Sequence, residues 1–166
     1  MLKRVSGKEW DKLVLDWEAE CDEFSESFDE YAMASLPVLR DLACGAPRKD
    51  AAVFGLKTEN KFDVVCQANS SLLPRYDGKV LRIRHIVLSP RFDFAMTLDE
   101  YSETLVGVFA GVLSLAYGEM ASDHVKFHLK SPAERAFGEA FTAALKNHDA
   151  FTEVAMKGSW IYLSKA

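Results

Sequence analysis

The sequence predicts a mixed α/β (α+β) domain, with about seven strands in one sheet and four flanking helices. Three kinds of signal predict it. Serine or threonine followed three residues later by glutamate occurs at Ser6–Glu9, Thr97–Glu100 and Ser131–Glu134, each opening an apolar helical pattern. Three apolar runs between residues 51 and 89 are broken by Glu59-Asn60-Lys61 and Asp77-Gly78, the pattern of an antiparallel meander. The chain closes on two short runs joined at Lys157-Gly158, which read as a hairpin.

In chain order, Leu2–Val5 forms a short first strand and Ser6 starts a helix. Trp10, Leu13, Val14, Trp17, Cys21, Phe24, Phe28 and Tyr31 recur at steps of three and four. Such an apolar stripe extends the helix to about Tyr31, with a bend at Ala32–Leu36. Pro37 opens a second, shorter helix that ends near Gly45. Strands follow at Ala51–Thr58, Phe62–Ser70 and Lys79–Ser89. Thr97 opens a helix to about Tyr117, stopped by Gly118. His124–Leu129 is a strand, and Pro132 stands at the first position of the last helix. That helix buries Ala133, Ala136, Phe137, Ala140, Phe141, Ala144 and Leu145. Phe151–Met156 and Ser159–Leu163 make the hairpin. Gly107 and Gly111 lie one turn apart in an apolar helix, a spacing that admits close packing by a neighbour.

Composition narrows the function classes. The 166 residues suit one domain spanning 1–166. A net charge of -5 argues against a general nucleic-acid binder, whose affinity comes from neutralising phosphates. The longest apolar run, Leu105–Tyr117, is shorter than the ~20 residues of a membrane span. Cys21, Cys44 and Cys66 contain no C-x-x-C pair, so reduced thiols in a cytoplasmic protein are expected. The basic start Met1–Gly7 leads into an acidic amphipathic helix, not into a signal region. No nucleic acid and no membrane are therefore expected as partners. A small-molecule ligand is, and the apolar helix Leu98–Tyr117 or the terminal hairpin offers a homodimer surface.

The order of elements, βααβββαβαββ, resembles the GNAT-type N-acyltransferase superfamily, as does Leu88-Ser89-Pro90-Arg91-Phe92 at the end of the fourth strand. The resemblance implies a twisted mixed sheet whose fourth and fifth strands splay apart to admit the pantetheine of an acyl-coenzyme A. By position it implies that Ile86, Leu88, Pro90 and Phe92 border the donor. It also implies glycines and a basic residue wrapping the pyrophosphate, and often a tyrosine acid on the last helix. Here the chain departs. The loop from Asp93 to Leu98 holds no glycine, and Asp93, Asp99 and Glu100 add negative charge at a helix start that should receive an anion. Acyl-coenzyme A is disfavoured on that ground, whereas a donor without the nucleotide, such as an acyl carrier protein, is not. Pro132–His148 contains no tyrosine.

Candidate site residues follow. In a regular strand His85 shares its face with Leu81, Ile83 and Val87, and it is either a general base for an amine or a core histidine with one satisfied ring nitrogen. Arg82 and Arg84 then point to the opposite face, as an anion clamp or as solvated side chains. His124, Lys126 and His128 share one face of the fifth strand, the last two forming a basic wall of a substrate cleft or a partly exposed strand face. The two histidines span ~13 Å along the strand and cannot share a metal ion. Eight acids and no lysine or arginine occupy Asp16–Glu30, a solvated face or a dock for a basic partner. Three functions remain open: acyl transfer from a thioester to an amine; a GNAT-like domain that has lost catalysis and binds a ligand or protein; or an unrelated α+β homodimeric interaction protein.

Overall fold

A computed structural model describes all residues, 1–166. The elements are β1 (Lys3–Arg4), α1 (Gly7–Glu23), α2 (Leu36–Cys44), β2 (Ala51–Thr58), β3 (Lys61–Leu72) and β4 (Lys79–Leu88). They continue with α3 (Pro90–Phe94), α4 (Leu98–Tyr117), β5 (His124–His128), α5 (Pro132–Leu145), β6 (Phe151–Lys157) and β7 (Trp160–Lys165). The seven strands form one sheet in the order β1-β2-β3-β4-β5-β7-β6. Every neighbouring pair is antiparallel except β4 and β5, which are parallel.

Three elements depart from the sequence reading, and in one of them, α5, Ala133, Ala136, Ala140 and Ala144 are exposed while Glu134, Gly138 and Thr142 are buried. The first helix stops at Glu23, not near Tyr31. Ser25 takes a left-handed φ of 57°, which a helix cannot continue through. Phe24, Phe28 and Tyr31 keep apolar contacts, but from a chain of turns that crosses back over the sheet. The remaining departure is α3, a helical turn in the segment expected to be a loop. Pro90 sits at its start, where a missing N–H costs nothing.

Helices pack on both faces of the sheet. On one face α4 and α5 bury the larger core, where Phe109 meets Phe127, Phe137 and Phe141 at ring separations of 4.3, 5.3 and 4.6 Å. Gly111 is required there, because a Cβ on it would stand 2.5 Å from Leu2 Cγ. On the other face α1 and α2 bury a smaller core around Trp10, Leu13, Trp17 and Leu39. The indole of Trp17 is sealed and donates to the Phe62 carbonyl at 2.9 Å. These two helices cover only the β2-β3-β4 half of their face. No helix is long and apolar enough to cross a membrane, and the three cysteines are unpaired.

Candidate active site

The centre of the sheet opens because β4 and β5 pair over only four residues, Val80–Ile83 with His124–Phe127. Beyond that point β5 keeps only its other edge paired, with β7, where Leu129 N–H donates to the Ser159 carbonyl at 2.8 Å. The gap leads into a cavity of about 450 Å³ lined by Ile86, Val87 and Leu88 on one side and Lys130, Ser131 and Glu134 on the other. Tyr31 and Tyr101 also line it. The Tyr31 hydroxyl donates to the Leu88 carbonyl at 2.7 Å and closes one end. A larger groove of about 720 Å³ between α1 and α2 has an apolar floor and presents no histidine, serine or lysine.

A β-bulge in β4 decides which side chains meet at this gap. The register with β3 slips between Val65 and Gln67, and His85 absorbs the extra residue with a φ of 50°. Strand alternation is broken there. Leu81, Ile83, Ile86 and Leu88 all face the α4 core, whereas Val87 faces α1 and α2. His85 therefore leaves the face assigned to it from regular alternation and stands on the same side as Arg82 and Arg84. It lies 3.2 Å by Nδ1 from the Ser35 hydroxyl. Ser35 is the residue before α2, yet its hydroxyl makes no bond to that helix. It accepts from Lys130 Nζ at 2.9 Å instead.

Lys126 and His128 come to the same side, because Lys126 pairs in register with Arg82 and both alternate with buried Val125 and Phe127. The structure thus puts His85, Lys126 and His128 on one face of the sheet; none of the three lines the cavity, which His85 reaches through Ser35. Burial, then the charges of Lys130 and Arg84, hold both His85 and His128 below the usual histidine pKa. Both rings are therefore neutral at pH 7, the state a base requires.

The donor-side residues divide. Ile86 and Leu88 line the cavity, whereas Pro90 and Phe92 lie outside it. Coiling of α3 turns the Phe92 side chain into the core. In the same loop the start of α4 is capped by its own side chains. Thr97 and Glu100 cap α4 mutually, with Thr97 N–H donating to Glu100 at 2.8 Å and Glu100 N–H donating to Thr97 Oγ1 at 3.3 Å. The guanidinium of Arg91 is spent on buried Asp63. Its backbone N–H donates at 3.2 Å to Glu20, an acid of the first helix that is buried, not solvated.

Sequence reasoning missed Ser35, Lys130, Tyr31 and Tyr101. Burial and Glu134 push the Tyr101 phenol up to about 12, so it keeps its proton. Only one signal was readable: Tyr101 follows a capping box and lies on the first turn of a helix that must leave the loop.

No family model and no curated protein matches the sequence. Solved structures do match. A probable acetyltransferase from Staphylococcus epidermidis ATCC 12228 aligns over 100% of this chain and 99% of its own, with a TM-score of 0.59 at 10% identity. The fold is that of the GNAT-type N-acyltransferases. An N-acetyltransferase from Staphylococcus aureus Mu50 covers 99% of this chain and 96% of its own, with a TM-score of 0.51 at 12% identity. A possible acetyltransferase from Clostridium difficile 630 covers 95% and 96%, with a TM-score of 0.52 at 9% identity. The splayed fourth and fifth strands expected of a GNAT fold are the β4–β5 gap described above.

Proposed function

We propose that this protein transfers an acyl group from a thioester donor to an amine within the β4–β5 gap. The observation that carries the reading is that the cavity at that gap is lined by Ser35, whose hydroxyl lies 3.2 Å from the neutral ring of His85. Names of the matched structures point to the same chemistry by analogy of fold. The acyl-bearing arm of the donor lies along Ile86–Leu88, and the amine approaches from the side of His85. With Nδ1–H donating to Ser35, the lone pair of His85 sits on Nε2 and takes the proton of the attacking amine. The amine nitrogen bonds to the thioester carbon as the carbon–sulfur bond breaks. Tyr101, protonated and in the cavity, supplies a proton to the leaving sulfur. This arrangement replaces a tyrosine on α5, which the chain lacks.

The donor is expected to bind through its acyl and pantetheine parts, with little help from a nucleotide. Thiol release from S-acetylpantetheine in the presence of a panel of amines tests the reaction. Turnover by the wild type and a ~100-fold loss of kcat in His85→Gln support it. Absence of thiol release with every donor and amine would favour the second reading, a binding domain without catalysis, to which the capped loop already lends support.

A further inference from the structure

The side of the sheet facing the acceptor carries cations without counter-ions. Lys126 lies 4.7 Å above both the Trp160 and Tyr162 rings, Arg84 lies 5.5 Å from the Trp160 ring, and the His128 ring stacks on Trp160 at 4.6 Å. Arg82, beside Lys126 in register, donates to Asn69 at 2.6 Å and leaves its buried Nε without a partner. None of Arg82, Arg84, Lys126 and Lys130 forms an ion pair. The nearby carboxylates are engaged elsewhere. Glu134 accepts from the backbone of Lys130 and Ser131, Asp77 binds His124, and Glu153 binds Lys157. An unneutralised group of four cations in a chain of net charge -5 is a concentrated local field. Burial, with a smaller contribution from Arg84, also lowers the pKa of Arg82.

Resting on the acyl-transfer reading, we propose that the acceptor is a small amine bearing its own carboxylate, the carboxylate held by Arg82, Arg84 and Lys126 against Trp160 while the amine meets His85. Geometry bounds its size. Arg82 is three residues from His85 along β4, a backbone separation of roughly 10 Å, so amine and carboxylate are separated by a distance of that order. A free amino acid or short peptide satisfies this, whereas a polyamine would bring like charge to the cations. The guanidinium fork of Arg84, exposed beside the rings, suits a planar carboxylate.

The test measures binding of L-phenylalanine, L-phenylalaninamide, spermidine and O-phosphoethanolamine by calorimetry, so it needs no turnover. Phenylalanine is expected to bind at least ~10-fold tighter than its amide, because a site built for an anion leaves its cations unpaired with the analogue that lacks it. Lys126→Gln and Arg84→Gln should each reduce that preference to within about threefold, while Arg48→Gln, a remote surface change, should leave it intact. Equal or tighter binding of the amide or spermidine would overturn the inference. Preference for phosphoethanolamine would overturn the carboxylate assignment, as would an undiminished preference in Lys126→Gln. The two readings fail separately. An active enzyme indifferent to the carboxylate sinks this inference and leaves acyl transfer standing; a protein that binds the acid but never releases thiol does the reverse.

Discussion

The two ends of the β4–β5 gap are electrostatic opposites. At the α3–α4 end the charged groups are paired within the chain: Thr97 and Glu100 cap each other, and Arg91 is bound to Asp63 and Glu20, while Ser89 Oγ and Arg91 Nε stay buried without a partner. At the acceptor end Arg82, Arg84, Lys126 and Lys130 have no carboxylate. The ends differ in charge pairing: one holds its cation against carboxylates of the chain, and the other leaves its cations free to meet an anionic ligand. The contrast also reverses the expectation set by the resemblance, in which the loop after the fourth strand is the anion site. Here the negative charge of the chain gathers near the loop, and the free positive charge lies across the sheet from α4.

The largest expected effect comes from breaking the closed end. Arg91→Ala leaves Asp63 buried without its counter-ion and should cost about 3 kcal/mol in urea unfolding, at the low end of the range because Arg91 is partly exposed to water. Arg48→Gln, which breaks an exposed pair with Asp50, should leave the urea midpoint nearly unchanged. If the two variants unfold alike, the loop is not held as described.

A second prediction concerns pH. His85 and His128 both have folded pKa values below the unfolded histidine value of about 6.5. The folded state therefore binds fewer protons than the unfolded state across that window. Stability should be full above about pH 6.5 and fall as pH drops through the depressed values. Activity should fall on the same side, because the base must be neutral. Lys130→Ala removes a positive neighbour of both rings, so the acid limb of kcat/KM should move to higher pH. A limb that stays in place would detach Lys130, and by extension Ser35, from the base.

The smallest effect is expected at the α4 cap. Thr97→Ala should cost about 1 kcal/mol of stability and leave donor affinity unchanged within about twofold. Tighter acetyl-coenzyme A binding in this variant would mean that the cap was competing with a phosphate for the same amides.

Regular elements were legible before any coordinates. The capping boxes at Thr97 and Ser131 mark the starts of α4 and α5, and the turn residues near 59 and 77 mark the meander. Periodicity reports which face of an element is apolar only while the element stays regular. That is why Phe24, Phe28 and Tyr31 read as a continuing helix, although Ser25 breaks it. It is also why His85 was assigned to the wrong face: a bulge at a non-glycine residue leaves no local signal, because the strain is set by pairing with β3. Ser35 falls within the bend expected at Ala32–Leu36, and its bonds to His85 and Lys130 depend on contacts 50 and 95 residues away. The absence of glycine between Asp93 and Leu98, by contrast, was a statement about backbone approach and could be read directly.

If the donor binds with little help from the nucleotide, calorimetric titration of acetyl-coenzyme A beside S-acetylpantetheine, at low and moderate salt, should give Kd values within about threefold of each other and little change with salt, since no phosphate is neutralised. Acetyl-coenzyme A binding more than about 30-fold tighter, with an affinity that falls steeply as salt is added, would contradict that mode of binding.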